Sequence, residues 1–264
     1  MSSSNNTNSV KTQYQTSANL DARIALHARF STATRDFHAW LFDFVAAPSN
    51  ARVLELGCGS GQMWRTVWAR VPQTWRITLT DFSAGMVAAA KDLAGFQNPR
   101  GLTLAQSDAQ AIPFADATFD VVFANHMLYH VPALPRALAE IGRVLERGGL
   151  LLAATNGARH MHELQELRRE CGVKRAYDAL TFNLENGATW LAPHFASVTR
   201  RDFVDSLRVT EVEPLVAYVK SMSTLTGRLT DEHRARFRAL AAERIARDGA
   251  IHITKAAGLF VARK

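Results

Sequence analysis

The chain has 264 residues, 47% of them hydrophobic and 21% charged, with only two cysteines, Cys58 and Cys171. That length buries a core without staples and excludes a disulfide scaffold or structural zinc site; the longest apolar stretch, Gly149 to Ala154, is too short for a membrane span of about 20 residues. A net charge of +7 raises the question of nucleic-acid binding, and its placement along the chain answers against that partner below.

The opening MSSSNNTNSVKTQYQTS has no apolar h-region, so no secretory signal is expected and the protein is read as cytoplasmic. Residues 1–17 are Ser, Asn, Thr and Gln-rich and predict a flexible polar arm. From Leu20 the spacing of Leu20, Ile24, His27 and Phe30, then Phe37, Trp40, Leu41, Phe44 and Val45, predicts two helices broken near Ser31 to Thr34. Pro48 closes this segment, 18–48, which holds too few apolar residues to fold alone and is read as a helical lid.

A run of strand and helix units follows. Arg52 to Leu56 predicts a strand ending in the turn GCGSG, with a helix over Gln62 to Arg70. Arg76 to Thr80 predicts a strand ending at Asp81, with a helix over Ser83 to Leu93. Further strands are expected at Leu102 to Ala105, Phe119 to Ala124 and Gly149 to Thr155. A helix over Leu134 to Leu145 should close at Gly148-Gly149. Beyond these, Met161 to Cys171 and Glu213 to Met222 read as helices, and Val198 to Leu207 and Gly258 to Arg263 as strands. Between Arg228 and Lys264 lie nine Lys or Arg against four Asp or Glu. Within that stretch Phe237, Leu240, Ala241 and Ile245 recur at helical spacing, with the arginines on other faces. Most of the excess charge is therefore a solvated helix face, and no nucleic-acid partner is expected. Alternating strands and helices imply an α/β, doubly wound, mostly parallel sheet, one domain over 49–264 with a helical insertion about 211–249.

Ligands of such sheets bind beyond the carboxyl ends of the strands. There the glycines of Glu55-Leu56-Gly57-Cys58-Gly59-Ser60-Gly61 permit a tight turn and close approach of backbone to a ligand. The spacing is GxGxG, not the GxGxxG of a nicotinamide site, which disfavours an oxidoreductase. Asp81 ends the second strand, where a carboxylate can accept from both hydroxyls of a ribose, and Asp108 follows the third, placed to accept from an adenine amine. Cys58, a lone thiol without a clear base, reads as a small filler.

VLELGCGSG, Thr80-Asp81, Ser107-Asp108-Ala109, IPFADATFDVVFANHMLYHV and RALAEIGRVLERGGLLLAAT resemble, in order, the motifs of class I S-adenosylmethionine-dependent methyltransferases, over about Arg52 to Thr155. The resemblance to bacterial small-molecule members implies a seven-stranded sheet with the last strand antiparallel. It also implies S-adenosylmethionine as cofactor and methyl transfer to a small-molecule acceptor. Glu55, Gly57, Gly59 and Asn125 would then border the methionine moiety. Asp81 would hold the ribose, Phe82 and Met86 would pack on the adenosine, and Asp108 and Ala109 would contact the adenine.

Asn125 to His130 follows the fourth strand, beside the expected methyl position. His126 and His130 would share a face if a helix starts there, and with Tyr129 are the catalytic candidates. Two imidazoles so spaced also suit a metal, but no Glu or third His lies nearby in sequence and no metal is expected. From the lid, Tyr14 is read as closing over the methionine end and Arg29 as pairing with the cofactor carboxylate. His27, Trp40, Asn156 and His160 are further pocket candidates. Two alternatives stay open: attack on another carbon of the sulfonium, releasing methylthioadenosine, and a nucleic-acid or cofactor-binding module without catalysis.

Overall fold

The computed structural model describes residues 7–91, 101–173, 180–222 and 230–264. In chain order the strands are β1 (Arg52–Leu56), β2 (Arg76–Asp81), β3 (Leu102–Gln106), β4 (Phe119–Asn125), β5 (Leu145–Asn156), β6 (Ser197–Val209) and β7 (Ile251–Arg263). They form one sheet of order β3-β2-β1-β4-β5-β7-β6. Neighbours from β3 through β5 run parallel, and β7 is antiparallel to both β5 and β6. This is the doubly wound architecture with an antiparallel last strand that the sequence leads one to expect.

Alternation along the central strands sorts the core into two layers. Val53, Val121 and Phe123 face Leu41 of α3 (Phe37–Phe42) and Met63, Trp64 and Val67 of α4 (Gln62–Val67). Leu54, Leu56, Val122 and Ala124 face Leu138, Ile141 and Val144 of α6 (Leu134–Val144). Helix α5 (Ala84–Ala90) follows β2; residues 92–93 of the expected helix lie outside the described residues. Helix α6 ends sooner than its glycines suggested: Leu145 is already extended, and Gly148, at φ 77°, lies inside β5.

The largest departure from the sequence reading concerns β7. Only Ala257 to Arg263 pair with β5, while Ile251 to Ala256 run on past the carboxyl edge, paired with Val204 to Val209 of β6 alone. The β6–β7 ribbon thus overhangs the sheet. Helices α2 (Ala18–Phe30), α7 (His162–Glu170), α9 (Val212–Ser221) and α10 (Asp231–Asp248) gather on this overhang. Leu26, Leu164, Leu215 and Phe237 join Leu207 and Ile253 in a third core. A short helix α8 (Gly187–Leu191) packs near Phe260.

The amino-terminal arm also differs from its expectation. Thr7–Gln13 form helix α1, and the buried Gln13 donates to the Ser221 carbonyl at 2.6 Å. Ser83 Oγ donates to the Tyr14 carbonyl at 2.7 Å. A Cβ at Gly85 would lie 2.2 Å from the Gln15 carbonyl oxygen, so the arm crosses the start of α5 where only glycine leaves room. Residues 1–6 lie outside the described residues.

Candidate functional site

A cavity of about 740 Å³ opens at the carboxyl edge of the sheet, between the strand ends, the amino-terminal helices and the overhang. Its volume is within the range of small-molecule sites. Most of the residues singled out in the sequence line it: Tyr14, Glu55, Gly57, Gly59, Asp81, Phe82, Asp108, Ala109, Asn125, His126, Tyr129 and His130, with His27, Asn156 and His160.

The glycine loop turns through three left-handed residues, Gly57, Gly59 and Gly61, at φ 69°, 55° and 80°. At Gly57 a Cβ would come within 2.7 Å of Met127 Cβ, so a side chain there is excluded by space as well as by conformation. Asp81 holds the loop: its Oδ2 accepts from the Gly59 amide at 2.9 Å and its Oδ1 from the Ser83 amide at 2.8 Å. Each oxygen keeps a lone pair for a ligand hydroxyl. Burial raises the Asp81 pKa against the lowering effect of these amides.

Glu55, 2% exposed, accepts from Trp64 Nε1 at 2.5 Å and from Asn125 Nδ2 at 3.1 Å. Its pKa is pushed up to about 7, chiefly by burial and further by the Asp81 charge. Asn125 is thereby oriented with its Oδ1 buried and without a partner among the described residues. A buried acceptor left in this state is costly unless a ligand donor meets it. The Asp108 carboxylate accepts from the Gln110 amide at 2.8 Å and from Gln110 Nε2, stiffening the turn after β3.

Three expectations are corrected by the geometry. Arg29 points away from the cavity and pairs with Glu211 at 2.5 Å on the surface, because its place on α2 is on the outer face. Two guanidiniums line the cavity instead: Arg35, which pairs with Asp43, and Arg23, six residues before Arg29, stacked 5.4 Å over the Tyr14 ring and donating to the Asn19 carbonyl. Met86 is 1% exposed and lies in the core, outside the cavity wall. Trp40 likewise stays behind the wall, against Phe203 and Phe44.

His126 and His130 do not share a helix face. His126 adopts φ 54°, uncommon for a residue with a Cβ, and Leu128–His130 is a single 3-10 turn. The two rings therefore diverge. His130 Nε2 meets the Tyr14 hydroxyl at 3.0 Å, tying the arm to β4, while His126 stands against Phe37, ring centres 5.4 Å apart. Burial lowers the His126 pKa to about 3, with His160, His38 and Lys255 adding to it, so the ring is neutral at physiological pH. Cys58 is buried, and desolvation pushes its thiol pKa up, away from nucleophilic use.

The sequence reading missed the contribution of the overhang. Phe203, Asp205, Lys255 and Ala257 enter the cavity from β6 and β7, and His38 from α3. The Lys255 ammonium pairs with Asp205, which also accepts from Ser31 Oγ at 2.7 Å and the Ala33 amide at 3.1 Å. No local motif marks these residues; only the length of β7, longer than Gly258 to Arg263, would have pointed to them. Among the described residues no three His, Cys, Asp or Glu come together to hold a metal ion.

Residues 54–153 match the family described as Methyltransferase domain. The chain is 34% identical over 115 residues to a 2-phytyl-1,4-naphtoquinone methyltransferase of Thermosynechococcus vestitus, an alignment covering 42% of this chain and 50% of that protein. It is 31% identical over 148 residues to a malonyl-acyl-carrier-protein O-methyltransferase of Pectobacterium atrosepticum, covering 56% and 55%. The chain thus spans about half the length of the curated relatives it matches. Among solved structures, a putative methyltransferase from Bacillus halodurans superposes with a TM-score of 0.60 at 17% identity, over 86% of this chain and 98% of that one. The 4+2 cyclase SpnF gives 0.63 at 20%, over 100% and 97%. At these identities the structures bear on the fold alone.

Proposed function

We propose that this chain, whose residues 54–153 match the Methyltransferase domain family, is a class I S-adenosylmethionine-dependent methyltransferase and that it methylates a small-molecule acceptor in the cavity at the carboxyl edge of its sheet. The observation that carries this reading is the convergence, in one cavity, of the left-handed glycine loop, the Asp81 carboxylate and the unpartnered Asn125 Oδ1. These features suit the cofactor: a glycine turn whose backbone is bare of side chains, an acceptor pair for ribose hydroxyls, and a buried acceptor for an ammonium. When bound, S-adenosylmethionine would supply an electrophilic methyl on sulfur for transfer to the acceptor.

In this reading Glu55 and Asn125 hold the methionine end and Asp81 the ribose, with Phe82 on the adenosine and Asp108 and Ala109 at the adenine. Arg23 takes the role expected of Arg29, since of the two cavity guanidiniums Arg35 is paired with Asp43, while no carboxylate pairs with Arg23 among the described residues. Tyr14, held by His130, closes the arm over this end and excludes water. His126 is assigned the acceptor's proton on its place in the cavity directly after Asn125; its ring is neutral and able to accept, though a pKa lowered to about 3 makes it a weak base. Tyr129 walls the site beside His130, ring centres 4.6 Å apart.

The basic helix supports a small-molecule acceptor over a nucleic acid. On α10 Arg238 pairs with Glu213 at 2.7 Å, Arg244 with Glu170 at 2.6 Å and Arg247 with Asp248 at 2.7 Å, leaving little charge to follow a phosphate backbone. Among the described residues no helix is long and apolar enough to cross a membrane. Both cysteines are free thiols, in keeping with the reducing cytoplasm proposed as its compartment. The test is incubation with S-adenosylmethionine carrying a labelled methyl and a pool of small metabolites, followed by mass spectrometry. S-adenosylhomocysteine together with a labelled metabolite supports the reading; methylthioadenosine in its place would assign the other sulfonium chemistry.

A further inference from the structure

The half of the cavity away from the glycine loop is a built polar chamber whose contents can be deduced from what its walls lack. His27, His38 and His160 enter it from α2, α3 and the segment after β5. In all three rings Nδ1 is buried without a hydrogen-bond partner among the described residues. The His27 and His160 rings lie 6.2 Å apart, and Phe37 and Phe203, edge to face at 5.3 Å, form an apolar wall beside them.

We infer that this chamber is the acceptor subsite and that it selects a planar, uncharged molecule bearing a hydroxyl of the phenol or enol type, over ammonium, carboxylate or purely apolar molecules. This inference rests on the methyltransferase reading above and names the acceptor class for it.

An ammonium group would find no free carboxylate. Asp205 is taken by Lys255, Ser31 and Ala33, and Asp36 caps α3 through the His38 and Ala39 amides at 2.7 and 3.0 Å. A carboxylate would find the one lysine of the chamber already neutralised by Asp205 and Arg35 by Asp43, with Arg23 given to the methionine end in the reading above, within imidazoles that carry no charge. A hydrocarbon would leave the Nδ1 atoms of His27 and His160 without a bond, and that of His38 with only the Asp36 carboxylate 3.7 Å away, and would return nothing for the polar atoms of the wall. A neutral hydroxylated ring satisfies the nitrogens through its oxygens and the Phe37–Phe203 wall through its faces. Burial, with Lys255 contributing, lowers the pKa of His27 and His160 to about 3, so both imidazoles are neutral at neutral pH, and His160, whose ring also bonds the Ala256 backbone, keeps an acceptor nitrogen. His126 borders the same chamber and is available to take the hydroxyl proton.

The test uses the full chain and four probes on one ring system: 2-naphthol, naphthalene, 2-naphthoate and 2-naphthylmethylammonium. Each is titrated by calorimetry with and without S-adenosylhomocysteine, and imidazole resonances are followed by NMR. 2-Naphthol should bind at least tenfold more tightly than the other three and shift the His27 and His160 signals. In the double variant His27→Phe, His160→Phe, naphthalene should draw level with 2-naphthol. If circular dichroism shows that variant unfolded, the probe order and the NMR shifts in the unaltered protein decide alone. Tightest binding of 2-naphthoate or the ammonium, parity of naphthalene, or no saturable binding would overturn the inference. S-adenosylhomocysteine binding without a preference for 2-naphthol defeats only the acceptor class. Absence of S-adenosylhomocysteine binding defeats the methyltransferase reading, and with it the assignment of the chamber as an acceptor subsite.

Discussion

Asp81 holds the glycine loop through both of its oxygens, which accept from the Gly59 and Ser83 amides; in the proposed reading, removing it loosens the loop and deletes the ribose acceptor at once. Charge-assisted bonds are worth roughly 1.5–3 kcal/mol each, and Asp81→Ala should weaken S-adenosylmethionine binding by at least about tenfold, as titration calorimetry would register. Glu55 gives a pH signature. Its folded pKa of about 7 lies above the ordinary 4.5, so the stability it adds is fully present below about 4.5 and is lost as pH rises to 7. The size is on the order of 3 kcal/mol for that shift. Chemical denaturation at pH 5 and 8 should show Glu55→Gln losing less stability across this interval than the unaltered protein does; identical slopes would contradict the burial argument. For His126, replacement by Asn should lower kcat by about 10²–10⁴ while cofactor affinity, set at the glycine loop, stays unchanged in the same titration.

The elements divide into those that sequence periodicity reveals and those that tertiary pairing creates. Strands β1 to β5 were legible because each is a short apolar run closed by a turn residue, and their ends carry the glycine loop and both aspartates. The overhang was legible only in part: Val204 to Leu207 fall within the strand expected at Val198 to Leu207, whereas Ile251 to Ala256, which pair with β6 and not with β5, were not read as strand, their apolar pattern broken by Lys255 facing the cavity. Arg29 against Arg23 was a matter of helix phase: both lie on α2, and only the packing of Leu26 and Phe30 decides which guanidinium turns inward. The arm was misjudged for another reason. Its anchoring comes from Gln13, Tyr14 and Gly85, through hydrogen bonds and close approach that hydropathy does not record. Gly85→Ala, which forces a Cβ onto the Gln15 carbonyl, should displace the arm while the sheet stays folded. Limited proteolysis near residue 15 should accelerate, and turnover should fall more than cofactor affinity. An unchanged cleavage rate with full turnover would make the arm a passive leader.

At the scale of the whole molecule, the imidazoles around one cavity tie stability to acidity. Burial lowers the pKa of His27, His126 and His160 to about 3, and that of His38 in the same direction. Groups depressed in the folded state add stability above their unfolded pKa near 6.5 and lose it as pH falls toward 3. Glu55 acts in the opposite sense, but one carboxyl does not offset several imidazoles. The denaturation midpoint should therefore drop steadily from pH 7 to 5, and His160→Phe should flatten that slope by up to about one proton. The central claim is that the cavity at the glycine loop binds S-adenosylmethionine, and calorimetric titration of the full chain with S-adenosylhomocysteine, beside folded Asp81→Ala, tests it most directly. One-to-one binding weakened at least about tenfold by the substitution is the expected result; no binding, or equal affinity in the two proteins, would contradict it.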